Sequence, residues 1–578
     1  MPDAVLIFSL GPVQGFLKEA RRAQDLWAGS KWLSDMARAA IQACLKESAK
    51  AIYPADPQQD SLPNKFVVRL PKETLDPAVR AACKAAQGEL ERCAQEAKHF
   101  LQRTGVPTDD VWETIWQRQC AHHLEFFWAA AEIAEGNYRA AYQQASQAFE
   151  AAKRTRVFNQ VPGEEGLKDS LSGRRSALRT RDKDAREYWK AVGNSKGVTP
   201  SHLKPDGRER LDALGATKRF GFPEAERFPS VSTVAVADFL ERARGNPALQ
   251  AYSKALAPIP LLYRVRDDEE WPYDGDLLFA ETLSPQRLQT SYGFGEDDLE
   301  KYARHLEAAR LALQALYQAL GRPNPYYAIL VMDGDSMGER VNRCATEEEH
   351  AELSGQLVAF ALQARQTVEE HQGWAVYTGG DDVLALLPVC KALPAAQALA
   401  QKFAKTVPKG TVSAGIAVTH HLYPLDAALQ AAREAEKVAK RVPGKAAVAV
   451  TVVKRSGETV VVRSKWDSLG GLFGELVGHF AGDRLSSRFA YDLSERAPVV
   501  TALLADTHRA AIKQLVKRHK SEQLTDADGL VERMVQWARA LDDQTPSEKV
   551  GDVDVPQGLA ELARWVVFAR FVAQGGGE

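Results

Sequence analysis

WAVYTGGDDVLALLP, residues 374–388, decides how the chain is read. Two apolar runs flank Gly379, Gly380, Asp381 and Asp382, and the pattern reads as a β-hairpin. Primed turns need positive φ, which glycine adopts without a steric penalty, so a two-residue Gly-Gly connection puts both aspartates at the tip. Adjacent like charges between buried segments repel unless something compensates them. Gly and Asp are also ordinary turn residues, so the hairpin alone specifies no chemistry.

The preceding stretch changes that reading. AILVMDGDSMGE (328–339) is an apolar strand ending in Asp333, Gly334 and Asp335. Between it and the hairpin, 348–371 has helical spacing. After the hairpin come a helix (393–406), a strand (TVSAGIAVT, 411–419), a helix (LDAALQAAREAEKVAKRV) and a last strand, KAAVAVTVV (445–453). The order β-α-β-β-α-β is a ferredoxin-like split unit, as in polymerase and cyclase palms. Its first strand is expected beside the strand entering the hairpin, so both acidic clusters meet at one edge of the sheet. Hard carboxylate oxygens there select Mg²⁺ or Mn²⁺, and Mg²⁺ favours one or two carboxylates plus substrate phosphates. Ions so placed suit phosphoryl transfer onto a 3′-hydroxyl. Lys437 and Lys440, late in the second helix, are candidates to reach phosphates, although most helix lysines are only solvated.

Other motifs serve as controls. WPYDGDLLF (271–279) repeats Asp-Gly-Asp at Asp274–Asp276, but follows an acidic, Pro-containing loop and reads as solvated. The pairs His122-His123 and His420-His421 are expected to diverge on regular elements and are set aside as metal sites. No His-Asp dipeptide occurs.

The 578 residues exceed one hydrophobic core. A formal net charge of −2 argues against coating nucleic acid or membrane over the whole surface. Six scattered cysteines without a CxxC pair indicate neither a disulfide framework nor a zinc site and fit a reducing cytoplasm. No window is apolar enough to span a membrane. The organisation expected is α+β, with an inserted irregular module and a helical C-terminal domain; that the chain holds two ferredoxin-like palm domains is what its resemblance to one family implies. The boundaries are 1–155 for the first palm with helical insertions, 156–320 for the module and linking helices, 321–465 for the GGDD palm, and 466–578 for the C-terminal helices. AVLIFSL (4–10) and KFVVRL (65–70) read as strands, GPVQG as a break and 16–49 as a helix. Residues 73–155 read as helix interrupted by LEFFWAA, and helices resume at 235–256 and 296–320. Within 156–230, basic residues outnumber acids, as in GRRSALRTRDKDAR; this reads equally as a solvated insertion or an RNA-facing patch.

Taken in order, FSLGPVQGFLKEARRAQDLWAGSKWLS, LPNKF, FPSVSTVA, DGDLLF, MDGDSMGE, YTGGDDVLALLP and SAGIAVTHHLYPL resemble one family. It is the large subunit of type III CRISPR effector complexes, in the Cmr (type III-B) form. GGDD alone is a weak motif; the whole set, from residue 6 to about 425, is specific. The resemblance implies cyclic oligoadenylate synthesis from ATP when the complex binds target RNA, with guide RNA and other Cmr subunits as partners. It implies Asp333, Asp381 and Asp382 as metal-binding carboxylates. Gly334, Asp335, Ser336, Met337, Gly338, Gly379 and Gly380 would line a nucleotide pocket that the GPVQ turn, Gly11 to Gln14, closes from the other side. Many relatives begin with a His-Asp nuclease domain; this chain starts at the first palm, so that activity is not expected. Where relatives carry two CxxC pairs, it has KDSLSG, with Asp169 and Ser172, and LDALGATKR, with Asp212 and Gly215. These cannot replace four thiolates on Zn²⁺, so the expectation is no zinc and a module held by packing alone. Two rival readings are a non-enzymatic nucleotide-binding scaffold and a stand-alone dinucleotide cyclase. A template-using polymerase would need a basic and aromatic channel, and 325–465 shows no such stripe.

Overall fold

The computed structural model describes residues 2–155, 163–200, 202–265, 269–501, 505–550 and 553–575. Residues 156–162, where the basic insertion was expected to begin, lie outside the described residues.

The first sheet contains β1 (Asp3–Gly11), β2 (Lys50–Tyr53), β3 (Lys65–Pro71) and β4 (Glu125–Glu132) in the order β2-β3-β1-β4, antiparallel throughout. Its connections are the helices Ala23–Lys46 and Leu75–Arg103, so the half is a βαββαβ unit. The stretch after GPVQG is two helices, Gln14–Lys18 and Ala23–Lys46, parted at 19–22, rather than one. β2 escapes a periodicity reading because four residues are too few to show a period. Side chains alternate across β1: Leu6, Phe8 and Leu10 enter one core with the two helices, while Val5 and Ile7 pack beneath the helix Tyr138–Arg154.

The second sheet repeats the unit with β5 (Tyr326–Gly334), β6 (Trp374–Gly379), β7 (Asp382–Pro388), β8 (Val412–His420), β9 (Ala447–Val453) and β10 (Thr459–Lys465). Its order is β10-β9-β8-β5-β7-β6. β5 therefore pairs with β7, which leaves the hairpin, and not with β6, which enters it. The helix Glu347–Glu370 crosses over from β5 to β6, one position away, and the hairpin returns β7 into the gap. The turn residues are Gly380 and Asp381, since Gly379 pairs with Asp382, and Gly380 alone of the four takes positive φ (65°). Both faces of the sheet are covered, so β8 is buried at all nine positions and reads as one apolar run. The half-exposed edge strand β10 had not been anticipated.

The C-terminal helices, from Leu472–Ala481 to Gly558–Ala573, share a core with one face of this sheet and carry a small ladder of β11 (Glu548–Val550) and β12 (Val553–Val555). Helix Ala23–Lys46 of the first half reaches the other face, where Ala23 and Leu26 meet Tyr327, Ile329 and Leu384.

Three expectations are corrected here. The 163–225 stretch is not wholly a solvated insertion: Leu178, Trp189, Leu211 and Phe220 are buried in the core of the first half, while Arg174, Arg181, Arg186, Lys190 and Arg208 stay exposed. It is held by ion pairs as well as by packing. Arg219 grips Asp25 through two bonds of 2.6 and 2.7 Å, and Arg175 pairs with both Asp212 and Glu19. Asp169 accepts from the backbone of Leu171 and Ser172 and from the Ser172 hydroxyl, while Asp212 caps the helix Ala213–Phe220 at Gly215. These carboxylates are thus satisfied by protein donors. The 271–279 loop is not solvated: Gly275, Leu277 and Leu278 are buried, Asp274 accepts from Ser230, and Asp276 accepts from Tyr292 at 2.6 Å. Finally, His420 and His421 do not diverge; β8 ends at His420, and the rings stack at 4.6 Å.

Candidate active site between the two sheets

β5 and β7 run antiparallel with Met332 opposite Val383, so the next residues, Asp333 and Asp382, project from the same end of the sheet. Asp381 is pressed onto the β5 end: a Cβ on Gly334 would lie 2.6 Å from its Oδ2. The two acidic clusters are therefore one site. Burial raises the pKa values of Asp381 and Asp382, and repulsion from neighbouring carboxylates raises them further. Asp382 is open to water by area, yet surrounding protein keeps bulk solvent distant, and that enclosure governs its ionisation.

The counter-charge comes from one helix. Lys440, on Leu425–Lys440, pairs with Asp333 and, at 2.8 Å, with Glu436, and its pKa is pushed up by both. Arg433 and Lys437 stand one turn apart on the same helix and line a cavity of about 890 Å³ with Asp333 and Asp382. Gly11 and Gln14 of the first half line its opposite wall, so the GPVQ turn does meet the acidic cluster. Lys437 also pairs with Glu434 at 2.9 Å.

Several expected pocket residues do other work. Asp335 is 6% exposed, and its carboxylate accepts from Thr411, Ser413 and the Ala446 backbone, which ties three segments together. Met337 belongs to the hydrophobic core. Ser336 has positive φ and accepts from Lys445. Gly338 opens the short helix Met337–Arg343 with free space around it. Gly334, Gly379 and Gly380 permit close approach, respectively of Asp381, the Tyr377 ring and the Tyr53 hydroxyl. None of these seven lines the cavity wall.

Sequence reasoning missed Tyr53, Tyr377 and Arg433. Tyr53 lies on β2 of the first sheet, and its hydroxyl would be 2.7 Å from a Cβ on Gly380. Its pKa is raised first by burial and then by the charges of Asp381 and Asp382. Nothing local in KAIYP marks that role. Arg433 was discoverable, being four residues before Lys437 on the same face. Further contacts fix the two halves together: Glu347 with Lys50 (2.7 Å) and Arg69 (2.9 Å), Ser354 with the Ala55 backbone (2.7 Å), and Tyr138 with His350 (2.7 Å).

As a donor set, Asp333 with Asp381 and Asp382, the last two held back from ionising by burial and then by neighbouring carboxylates, suits a hard divalent cation, which would relieve that repulsion. Among the described residues, no three His, Cys, Asp or Glu side chains are already gathered around a cation position. Lys440 holds Asp333 instead.

Residues 5–104 match the family model described as CRISPR-associated protein Cmr2, N-terminal, and residues 326–449 match that of Cas10/Cmr2, second palm domain. A Cmr subunit Cmr2 from Pyrococcus furiosus is 31% identical over 229 residues, covering 34% of this chain and 26% of that protein. The matched part thus spans about a quarter of that relative. Among solved structures, a chain of the type III-B Cmr-beta complex in its apo state superposes with a TM-score of 0.65 at 13% identity, covering 100% of this chain and 82% of the other. The same complex bound to cognate target RNA gives 0.66 at 13%, covering 100% and 83%. At such identity the likeness speaks for the fold, and it extends over the helical C-terminal part that neither family model reaches. Both models are matched in order, on the two halves that enclose the carboxylates, so over these two stretches the chain is similar to the Cas10/Cmr2 family.

Proposed function

We propose that this chain is the palm-bearing subunit of an RNA-guided Cmr complex and converts ATP into cyclic oligoadenylates when target RNA binds. The observation that carries this reading is the convergence of Asp333 and Asp382 with Gly11, Gln14, Arg433 and Lys437 around one cavity between two palm-like halves. That volume lies within the range typical of small-molecule sites. The cation-rich helix face supplies phosphate partners, and the carboxylates supply oxygen ligands.

Asp333, Asp381 and Asp382 would hold Mg²⁺ or Mn²⁺, which supplies a lowered 3′-hydroxyl pKa and neutralises charge on the leaving pyrophosphate. Lys440 has to yield Asp333 for that, and is then free to turn toward a phosphate. Arg433 is half-buried and close enough to Asp382 to feel its charge, so it is poised to take a triphosphate oxygen. The Gly11–Gly15 turn offers backbone that a nucleotide can approach closely, because glycine carries no side chain. Tyr53 props the hairpin from the other half and so couples its position to the packing between halves.

The test uses the full chain, alone and assembled with guide RNA and the other Cmr subunits, supplied with ATP and Mg²⁺ or Mn²⁺, with and without complementary RNA. Rings that require target RNA and disappear in Asp381→Ala/Asp382→Ala, at unchanged melting temperature, support the reading. Nucleotide bound but never converted, alike in wild type and variant, would establish the scaffold reading instead. Ring formation by the isolated chain without RNA would point to the stand-alone cyclase.

A further inference from the structure

A second cavity, of about 640 Å³, lies at the opposite end of the second sheet. β5 pairs Tyr326 with His420 at one end and Gly334 with Val412 at the other, so eight residue steps, roughly 26 Å, separate this cavity from the carboxylates. Its wall draws on distant segments: the loop before helix Ala23–Lys46, Pro200 and Lys204, the 3₁₀ turns at 274–282, and the β9–β10 turn.

Its charge is unbalanced. Arg21, Arg22, Lys204, Arg287, Arg322 and Arg455 line it, against Asp274, Asp276 and Glu281. Arg22 is committed to Glu209 at 2.5 Å, and Arg322 lies over the Tyr317 ring. Among the described residues, Lys204, Arg287 and Arg455 have no carboxylate within ion-pair distance, although Lys204 and Arg287 are half-buried. A half-buried cation without a partner is costly, and fold stability gives no reason to keep two side by side. The neighbouring groups register the excess: burial depresses the pKa values of His420 and His421 most and Arg287 and Arg455 depress them further, while burial depresses that of Lys204. Asp276 lies near Lys204 and Arg287, but burial and the Asp274 charge push its pKa up to about 7, so it cancels only part of this charge near neutral pH. The Ser291 hydroxyl adds a neutral donor, those of Ser230 and Ser232 being engaged with Asp274 and His421, and Tyr263 and Phe279 add flat apolar surface.

We propose that this cavity is a second anion site, separate from the carboxylate cavity, which takes the phosphate of a ribonucleotide through Lys204, Arg287 and Arg455. Guanidinium and ammonium groups match phosphate oxygens, and the Ser291 hydroxyl and aromatic rings suit a ribose and base. The volume is well beyond the needs of a lone ion. The ligand is either a free nucleoside polyphosphate or one nucleotide of an RNA strand; the chemistry recognised is the same.

The test titrates the full chain, in EDTA so that no divalent cation loads the carboxylates, with inorganic tripolyphosphate, ATP and a five-nucleotide single-stranded RNA, by calorimetry. The double variant Arg287→Gln/Arg455→Gln is compared with wild type. Expected is saturable, salt-sensitive binding that the variant weakens at least about tenfold, with a shallower salt dependence and an unchanged melting temperature. Binding of tripolyphosphate and ATP without RNA identifies a free nucleotide; tighter binding of RNA identifies a strand. Should the double variant misfold, Arg455→Glu on its exposed turn repeats the comparison. No saturable binding of any probe, or equal binding by wild type and variant, overturns the proposal.

Discussion

Gly415→Ala is the substitution that should separate the packing of the candidate site from its chemistry. Gly415 sits in β8, paired with Val331 on one side and Ala449 on the other, with the helix Leu425–Lys440 directly above. A Cβ there would lie 2.1 Å from the Glu436 nitrogen and 2.2 Å from the Ala432 carbonyl oxygen. Both are backbone atoms of the helix, so no rotamer change relieves the clash. Ordinary contact begins near 3.4 Å, so the helix must lift by about 1 Å. Overpacking of this kind costs about 1–3 kcal/mol, and the central position of β8 on a two-sided core puts the effect at the upper end. Arg433, Lys437 and Lys440 ride on the same helix, so the lift moves them all relative to Asp333 and Asp382. A 1 Å misplacement of positioning groups can lower a rate about 100-fold. The assay pairs denaturant unfolding with single-turnover ring formation in the assembled complex. Gly355→Ala is the control: a Cβ there meets nothing within 4 Å, and the position is inside the helix Glu347–Glu370, so stability should rise by about 1 kcal/mol at wild-type rate. Gly415→Ala with wild-type unfolding and wild-type rate would refute the backbone-contact argument.

Two further outcomes follow from buried charge. Asp25→Ala leaves the Arg219 guanidinium, 2% exposed, with Glu209 at 3.7 Å as its remaining carboxylate, and should cost about 3 kcal/mol of unfolding free energy; Asp25→Leu/Arg219→Met should recover most of that, and equal loss in both would argue against an undercompensated charge as the cause. Asp276 is pushed up to about 7, first by burial and then by the charge of Asp274. The folded chain therefore keeps a proton that the unfolded chain releases near pH 4, so stability falls as pH rises from about 4 to 7, by on the order of 3 kcal/mol. Asp276→Asn should flatten that slope in unfolding curves recorded at pH 5 and pH 8, and an unchanged slope would mean another group carries it.

The second palm was legible in the sequence because its signals are local. Apolar runs in β5, β7 and β8 are broken by Gly and Asp, and the alternation of helix and strand leaves few arrangements open. The same locality brought Asp333, Asp381, Asp382, Lys437 and Lys440 into view, since each sits at an element end or on a helix face. What the sequence could not determine was which neighbour each element takes. The order of strands placed β7, and not β6, beside β5, and only the pairing of whole strands decides that. Asp335 and Met337 carry the same motif as Asp333 but turn inward, because Thr411, Ser413 and the core supply better partners than solvent does. Tyr53 reaches Gly380 across more than three hundred residues, and no spacing rule records so distant a contact. The basic 163–225 stretch reads as surface by composition. Part of it is interior in the fold because Glu19 and Asp25, from the first half, reach Arg175 and Arg219 and neutralise them. Composition and periodicity determined most of the elements and pointed to the type of chemistry proposed for them. Long-range charge pairing and backbone-to-backbone packing, which depend on the assembled chain, decided which residues share a site.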